Sequence, residues 1–221
     1  MNKEKPIIFS TPMVQAILNT KPGVWPAEAI DPAKPFKSMT RRVMKPQPIN
    51  NNGEKILSMR SLESRYAVGD ILWVRETWNI HPLTKPDNLS ELGYCSACTA
   101  CKNINGEYIY KASFPPSYPC TQWKPSIFMP RKVARLFLKV KSVRIEKLQK
   151  ITPEDCVNEG AVKKPHYMTY GGESYLAIHG RYKTEFAKLW DSINAKRGYS
   201  WESDPWVYVI EFIRLPDGGK K

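Results

Sequence analysis

The chain has 221 residues, 42% of them hydrophobic and 25% charged, which suffices for a buried core and is ordinary for a soluble protein. Its formal net charge of +13 predicts a polyanionic partner or a substrate that resembles part of one. No apolar run reaches the length of about 18 residues that a membrane-spanning helix needs, and the N-terminus lacks an apolar signal segment, so we expect no membrane partner and a cytoplasmic location.

The N-terminal third predicts one strand, one helix and a long loop. Residues 7–9 form a short apolar run that is typical of a strand. Thr11 followed by Pro12 predicts a helix with a hydroxyl N-cap and proline at its first position, extending to Leu18. Residues 19–36 contain four prolines and a glycine and are predicted to be a loop.

The central part of the chain predicts three strands. Gly69 and Asp70 signal a turn before a strand over residues 71–78, and residues 108–112 predict another. The segment between them, 79–107, is polar, rich in cysteine and irregular. Residues 133–148 alternate apolar and polar positions, which predicts one long strand, or two joined by a bulge, with one buried face.

The C-terminal part predicts two helices and a closing strand. Thr152 and Pro153 mark a helix start with acidic residues in the first turn, and Glu159-Gly160 marks its end. Apolar residues at 186, 189, 190 and 193 follow helical periodicity, and residues 206–212 predict a strand. The whole pattern predicts an α+β fold with a small curled sheet or barrel.

Residues 36–42, FKSMTRR, allow two interpretations. The first is a basic turn that binds phosphate, for which Arg41 and Arg42 suffice. The second is catalytic: a threonine hydroxyl such as that of Thr40 needs a base, and Lys37 becomes one if burial or neighbouring cations lower its pKa. Spacing alone does not choose between them.

Glu159 also has two interpretations. At the C-terminal end of a short helix it lies near the negative end of the dipole, which favours the protonated carboxyl that a general acid needs. The alternative, and the more common case, is a solvated carboxylate at a helix end.

The cysteines predict a zinc site or a group of free thiols. Cys95, Cys98 and Cys101 form two overlapping Cys-x-x-Cys spacings, and Cys120 would supply a fourth thiolate for structural zinc. The two well-separated pairs typical of zinc sites are not present, so free or redox thiols stay open. Cys156, within the short helix, is predicted to be buried.

Several segments, in order, resemble the ASCH-domain family, which has a PUA-like fold. They are IIFSTPMVQAIL, FKSMTRR against the family form Gly-x-Lys-x-x-Thr-x-Arg, GDILWVRETW, RIEKLQKITPEDCVNEG, FAKLWDSIN and WVYVIEF. The resemblance is close to the phage and prophage variant. It implies a single domain over residues 1–221, a PUA-like curled β-barrel with flanking helices, with insertions at about 19–35 and 85–107, the second bearing cysteines.

The resemblance also implies an activity. Some ASCH proteins are amidohydrolases that remove the acyl group from N4-acetylcytidine and related N4-acylated cytosines. Their catalytic lysine, threonine and glutamate correspond to Lys37, Thr40 and Glu159. The glycine of the motif is missing here, and Ser38 stands where threonine is frequent, which leaves the shape of the cleft and the size of the substrate in question.

The implied mechanism needs no metal, and a zinc ion at the cysteines would be structural. Neutral Lys37 takes the proton of Thr40, whose oxygen attacks the acyl carbonyl, and protonated Glu159 donates to the leaving nitrogen; alternatively, Lys37 activates water and Thr40 only positions it. Four residues are expected to bind substrate: Ser38, Arg41, Arg42 and Glu76.

For Glu76 a structural ion pair is the alternative to substrate contact. For the whole chain, the alternatives are a non-catalytic RNA- or DNA-binding module and a ribonuclease that acts on single-stranded RNA. Six tryptophans could stack on bases, although most are expected in the core: Trp73, Trp78, Trp123, Trp190, Trp201 and Trp206.

Overall fold

The described part of the chain has a mixed α+β fold built on a five-stranded mixed sheet. The computed structural model describes residues 3–31, 34–48, 64–80, 108–115, 123–162 and 175–216. The strands are β1 (Glu4–Ile8), β2 (Met39–Val43), β3 (Ile71–Arg75), β4 (Trp78–Ile80), β5 (Tyr108–Tyr110), β6 (Phe137–Lys147) and β7 (Trp206–Arg214). The helices are α1 (Thr11–Leu18), α2 (Pro153–Asn158) and α3 (Tyr175–Asn194).

The main sheet has the order β1-β3-β6-β7-β2, in which only β1 and β3 are parallel. β6 is the long strand that the sequence predicts, and its register with β7 shifts between Val140 and Ser142, as expected of a bulge. β1 and β2 are the two edges of this sheet among the described residues, so the predicted curled sheet is open here and not a closed barrel.

Both faces of the sheet are covered, and β7 shows this most directly. Its residues Ile210 and Phe212 join a core with Ile7, Phe9 and Leu72. Val207 and Val209 alternate with these residues along β7 and face a second core. Cys156 of α2 and Phe186 and Trp190 of α3 complete that core. Burial on both faces explains why residues 206–210 of β7 are all apolar or aromatic.

Several predicted boundaries were wrong, among them that of the strand predicted over 7–9, which spans Glu4–Ile8. The N-cap of α1 is Ser10 rather than Thr11, and its side chain makes no capping hydrogen bond. The predicted strand over 71–78 ends at Arg75, because the chain leaves the main sheet there and Trp78 begins β4, which pairs with β5. β5 itself ends at Tyr110, where a 3-10 turn follows.

Asp70 joins the start of β1 to the turn before β3. Its buried carboxylate accepts hydrogen bonds from the Lys3 N–H at 3.0 Å, the Lys5 ammonium at 2.5 Å and the Ala67 N–H at 2.9 Å. Burial opposes ionisation, but Lys5 and the two N–H groups outweigh it and hold the pKa of Asp70 below its usual value.

Asp70→Asn is expected to lower the free energy of unfolding by about 2 kcal/mol at pH 7, because it removes charge-assisted hydrogen bonds. A depressed native pKa stabilises the fold above the unfolded pKa, and that stability is lost as pH falls through the native value. The deficit of the variant should therefore shrink in acid. Urea unfolding at pH 7 and pH 3 measures it, with Glu202→Gln, at an exposed position, as the control. An equal deficit at both pH values would contradict the assignment.

Candidate active site

Lys37 is completely buried immediately before β2. Its backbone N–H lies 3.1 Å from both the Ala16 carbonyl and the Thr20 hydroxyl, which tie this segment to the end of α1. Its ammonium lies over the Phe9 ring, 5.8 Å from the centroid. A lysine held this way cannot reach solvent, so any charge that it carries needs a partner within the protein.

That partner is Glu159. Lys37 Nζ donates to the backbone carbonyl and to Oε2 of Glu159, each at 2.7 Å. Burial lowers the pKa of Lys37; Glu159 opposes this, and the Arg42 and Arg41 charges add to the lowering. The catalytic interpretation of the sequence needs a Lys37 with a lowered pKa, and desolvation is the physical cause of that lowering here.

Glu159 is positioned by the end of α2, where the sequence predicts that the helix ends. Thr152 caps the N-terminus by accepting a hydrogen bond from the Asp155 N–H at 3.1 Å, and Glu159 is the C-cap. Gly160 follows with φ of 76°, the left-handed conformation that glycine adopts without strain. A Cβ at Gly160 would lie 3.2 Å from Ala16 Cβ and 3.4 Å from Lys37 Cβ, so glycine also lets α2 approach the lysine segment closely.

Arg41 lies at the centre of a buried charge network. Its guanidinium contacts Glu146 and Asp155 at 2.5 Å and Glu159 at 3.2 Å, and its side chain is 1% exposed. Burial alone would lower the pKa of Arg41, but Glu159 and Asp155 outweigh it and raise the pKa. Arg144, more exposed, also contacts Asp155, at 3.1 Å. Arg41 therefore connects β2 to the carboxylates of Asp155 and Glu159 at α2 and of Glu146 on β6.

Thr40 and Arg42 alternate with Arg41 along β2 and face the other side of the strand. Thr40 is 4% exposed, and among the described residues its hydroxyl has no hydrogen-bond partner. Arg42 Nη2 donates to the Ile8 carbonyl at 2.8 Å, so it spans the gap between the two edge strands β2 and β1. Burial lowers the pKa of Arg42.

A cleft of about 500 Å³ opens at this edge of the sheet. Four of the predicted site residues line it: Thr40, Arg41, Arg42 and Glu159. Lys37 lies behind Glu159, and no hydrogen bond joins it to Thr40, so its connection to the cleft runs through the Glu159 carboxylate. The volume lies within the range of small-ligand sites.

Two predicted substrate-binding residues lie outside this lining. Ser38 packs between α2 and β7, where its N–H donates to the Asn158 carbonyl at 2.9 Å and its carbonyl accepts from the Phe212 N–H at 2.9 Å. Glu76 is 1% exposed and forms a two-pronged ion pair with Arg135 at 2.8 and 2.9 Å. Of the two alternatives for Glu76, substrate contact and a structural ion pair, the structure has the ion pair.

The cleft has aromatic walls that the sequence did not single out as a group. Phe9 follows β1, Trp190 lies on α3, and Tyr199 follows α3. Trp190 Nε1 donates to the Tyr199 carbonyl at 2.8 Å, which fixes these two residues together. The helical periodicity placed Trp190 on a buried face, but no local signal in the sequence joins it to Phe9.

The predicted zinc ligands lie outside the described residues. Among the residues described, no group of three or more His, Cys, Asp or Glu side chains is arranged to hold a metal ion. Cys156 is buried as expected, and burial raises the pKa of its thiol to about 12, which keeps it in the unreactive protonated form. In the same part of the chain, no helix has the length and apolar character needed to cross a membrane.

Comparison with known proteins adds no relative. No family model, no curated protein and no solved structure matches this chain. Support for a function therefore comes from the residues themselves, from the contact between Lys37 and Glu159, and from the cleft that Glu159 and Thr40 both line.

Proposed function

We propose that this protein is an amidohydrolase that removes the acyl group from N4-acylated cytosine nucleosides such as N4-acetylcytidine. The observation that carries the proposal is the buried contact of 2.7 Å between Lys37 and Glu159, whose carboxylate lines the same cleft as Thr40. The ordered motifs that resemble the ASCH family support the same activity. The open sheet, with its edge strands linked by Arg42 across a cleft, is compatible with the PUA-like fold that the resemblance implies.

The Lys37–Glu159 pair supplies the acid and the base. An ammonium–carboxylate pair and a neutral amine–carboxylic acid pair differ only in the position of one proton along the contact. Burial disfavours separated charge, so it brings the free energy of the neutral pair closer to that of the ionic pair. The pair can then accept one proton and donate another without any change in net charge.

The reaction proceeds in two stages. Thr40 transfers its proton to the pair as its oxygen attacks the acyl carbon, and the pair protonates N4 as the carbon–nitrogen bond breaks, which releases cytidine. Water then hydrolyses the acyl-threonine to a carboxylic acid and restores the threonine hydroxyl. The proton of Thr40 enters the pair through the Glu159 carboxylate, because Glu159 lines the cleft together with Thr40 and Lys37 lies behind it, hydrogen-bonded to that carboxylate.

Arg42 is the better candidate to stabilise the developing oxyanion. Arg41 already contacts three carboxylates, which satisfy its charge. Arg42 lines the cleft, and among the described residues it donates one hydrogen bond, to the neutral Ile8 carbonyl. A cation without a carboxylate partner stabilises a new negative charge more effectively. The aromatic walls formed by Phe9, Trp190 and Tyr199 suit a planar cytosine.

The direct test is an ultraviolet assay with N4-acetylcytidine and N4-benzoyl-2′-deoxycytidine. The wild-type protein should release cytidine or deoxycytidine, and Thr40→Ala should reduce the rate by about 10²-fold or more if the hydroxyl is the nucleophile. Thr184→Ala, on the exposed face of α3, is the matched control and should leave the rate unchanged.

Two outcomes would replace the proposal. A wild-type protein that is silent on both substrates but binds RNA with a steep salt dependence would be a binding module. One that releases fragments from single-stranded RNA would be a ribonuclease.

The rate is expected to be bell-shaped in pH. Activity needs one shared proton on the Lys37–Glu159 pair, so a second proton stops the reaction in acid and loss of the last proton stops it in alkali. Because burial lowers the pKa of Lys37 below 10.5, the alkaline limb should lie below pH 10.5. Profiles of kcat/KM from pH 5 to 11 measure both limbs; a rate that still rises at pH 10.5 would contradict the role of Lys37.

A further inference from the structure

A second cavity, of about 810 Å³, adjoins the cleft. The two cavities share four lining residues at their junction: Ile8, Arg42, Val43 and Lys45. The remainder of the second cavity is lined by Pro6, Ser64, Arg65, Tyr66, Arg75, Tyr208 and Ile210. It therefore lies along the gap between β1 and β2, next to the proposed catalytic residues.

Among the described lining residues of this cavity, every charged side chain is a cation. Four cations line it, Arg42, Lys45, Arg65 and Arg75, and the described part of the lining contains no aspartate or glutamate. Within the described part of the chain none of the four forms an ion pair, whereas the nearby Arg41 contacts three carboxylates. The four cations of the cavity therefore have no direct ion-pair partner among the described residues.

Neutral groups hold these cations in place. Arg42 donates to the Ile8 carbonyl at 2.8 Å, and Arg75 Nε donates to the Met129 carbonyl at 3.0 Å. Arg65 and Lys45 lie over the rings of tyrosines, at 5.7 and 5.1 Å from the centroids. Carbonyls and ring faces orient a cation without cancelling its charge, so the cavity keeps a positive potential that attracts an anion.

We propose that this second cavity is a phosphate subsite for the nucleotide whose acylated cytosine occupies the cleft. The proposal rests on the proposed function for the position of the base. Arginine side chains match the oxygens of a phosphate ester with paired hydrogen bonds, and three arginines line this cavity. Arg42 and Lys45, at the junction, lie where a ligand passes from one cavity to the other.

The phosphate has two sources, which share this chemistry. It is either the 5′-phosphate of a free mononucleotide or a phosphodiester of a polynucleotide. In both cases a free nucleoside leaves the subsite empty and loses its contribution to binding. The preferred substrate of the enzyme is therefore a phosphorylated form of the acylated cytidine.

The test compares three substrates: N4-acetylcytidine, its 5′-monophosphate, and a short single-stranded RNA with one N4-acetylcytidine. kcat/KM for the monophosphate should exceed that for the nucleoside by about tenfold or more, the effect of one charge-assisted contact. A further rise for the RNA would identify the polymer as the source of the phosphate. Equal kcat/KM for nucleoside, nucleotide and RNA would overturn the proposal.

Two variants test whether the preference for phosphorylated substrate arises from this cavity. Arg65→Gln and Arg75→Gln should each reduce the preference for phosphorylated over unphosphorylated substrate, and thermal unfolding shows whether each variant is folded. Lys139→Gln removes an equal charge from an exposed position on β6 and should keep the preference. If the RNA is the substrate, each cavity variant should also reduce the slope of log affinity against log salt by about 0.7.

A binding measurement separates this proposal from the proposed function. Calorimetry with cytidine and cytidine 5′-monophosphate needs no catalysis. Tighter binding of the monophosphate, weakened in both cavity variants, in a protein that hydrolyses nothing would support the subsite and refute the amidohydrolase. Hydrolysis of the nucleoside without any gain from phosphate in rate or binding would support the amidohydrolase and refute the subsite.

Discussion

Replacing Lys37 with methionine is expected to reduce kcat/KM on N4-acetylcytidine by about 10³-fold, within the range for removal of an acid–base group. Methionine fills a similar buried volume but cannot hold or transfer a proton. Arg41, which lies 3.2 Å from Glu159, still compensates that carboxylate, so the fold should persist. Steady-state kinetics with circular dichroism of the same preparation measures both.

The control for this variant is Lys188→Met, because Lys188 is 67% exposed on α3 and its ion pair among the described residues is with the neighbouring, partly exposed Glu185. It should leave both the rate and the unfolding temperature nearly unchanged. Glu159→Gln, which keeps the shape but removes the acid, should match the loss in Lys37→Met. A folded Lys37→Met protein with the wild-type rate would exclude Lys37 from the chemistry.

Replacing Arg41 with methionine is expected to lower the free energy of unfolding by about 3 kcal/mol, since it leaves buried carboxylates without their shared cation. For a chain of this size that corresponds to a fall of roughly 6–12 °C in the unfolding temperature. Lys37 and Arg144 still contact members of the group, which limits the loss. Thermal and urea unfolding measure it.

Arg144→Met is the matched comparison, because Arg144 contacts Asp155 as well but its side chain is 37% exposed. Its cost should be below about 1 kcal/mol, as for solvent-screened pairs. Asp155→Asn should destabilise the wild type more than it destabilises Arg41→Met, with a coupling of at least about 0.5 kcal/mol. Additive effects of these two substitutions would mean that Arg41 and Asp155 do not stabilise one another.

Most of the regular structure could be predicted from local patterns. The bulged strand β6, the short helix α2 with its Thr152 cap, and the closing strand β7 all lie where periodicity and capping signals put them. The main error occurs where a strand-forming segment can pair with either of two neighbouring strands. The apolar run after Gly69 reads as one strand, but it divides between two sheets, because strand propensity does not specify which strand pairs with which.

The site also has a part that the sequence indicated and a part that only the structure revealed. The sequence pointed to Lys37, Thr40, Arg42 and Glu159 through short motifs and a family resemblance, but from spacing alone it could not distinguish catalytic residues from a basic turn. It gave no indication that Arg41 would be enclosed by an internal network of carboxylates, and it left an ion pair open for Glu76 without identifying Arg135 as the partner. The aromatic walls of the cleft come from three separate parts of the chain, and no local pattern connects them.

The sequence by itself determined the α+β class, most of the elements and the excess of positive charge, because these depend on residue types and on short periodicities. The tertiary structure alone decided which charges are paired. Lys37 meets Glu159 across 122 positions of sequence, while the cations of the second cavity converge without an ion-pair partner among the described residues. The physical reason is that burial and ion pairing depend on distances between segments, which the packing of the sheet against its helices sets.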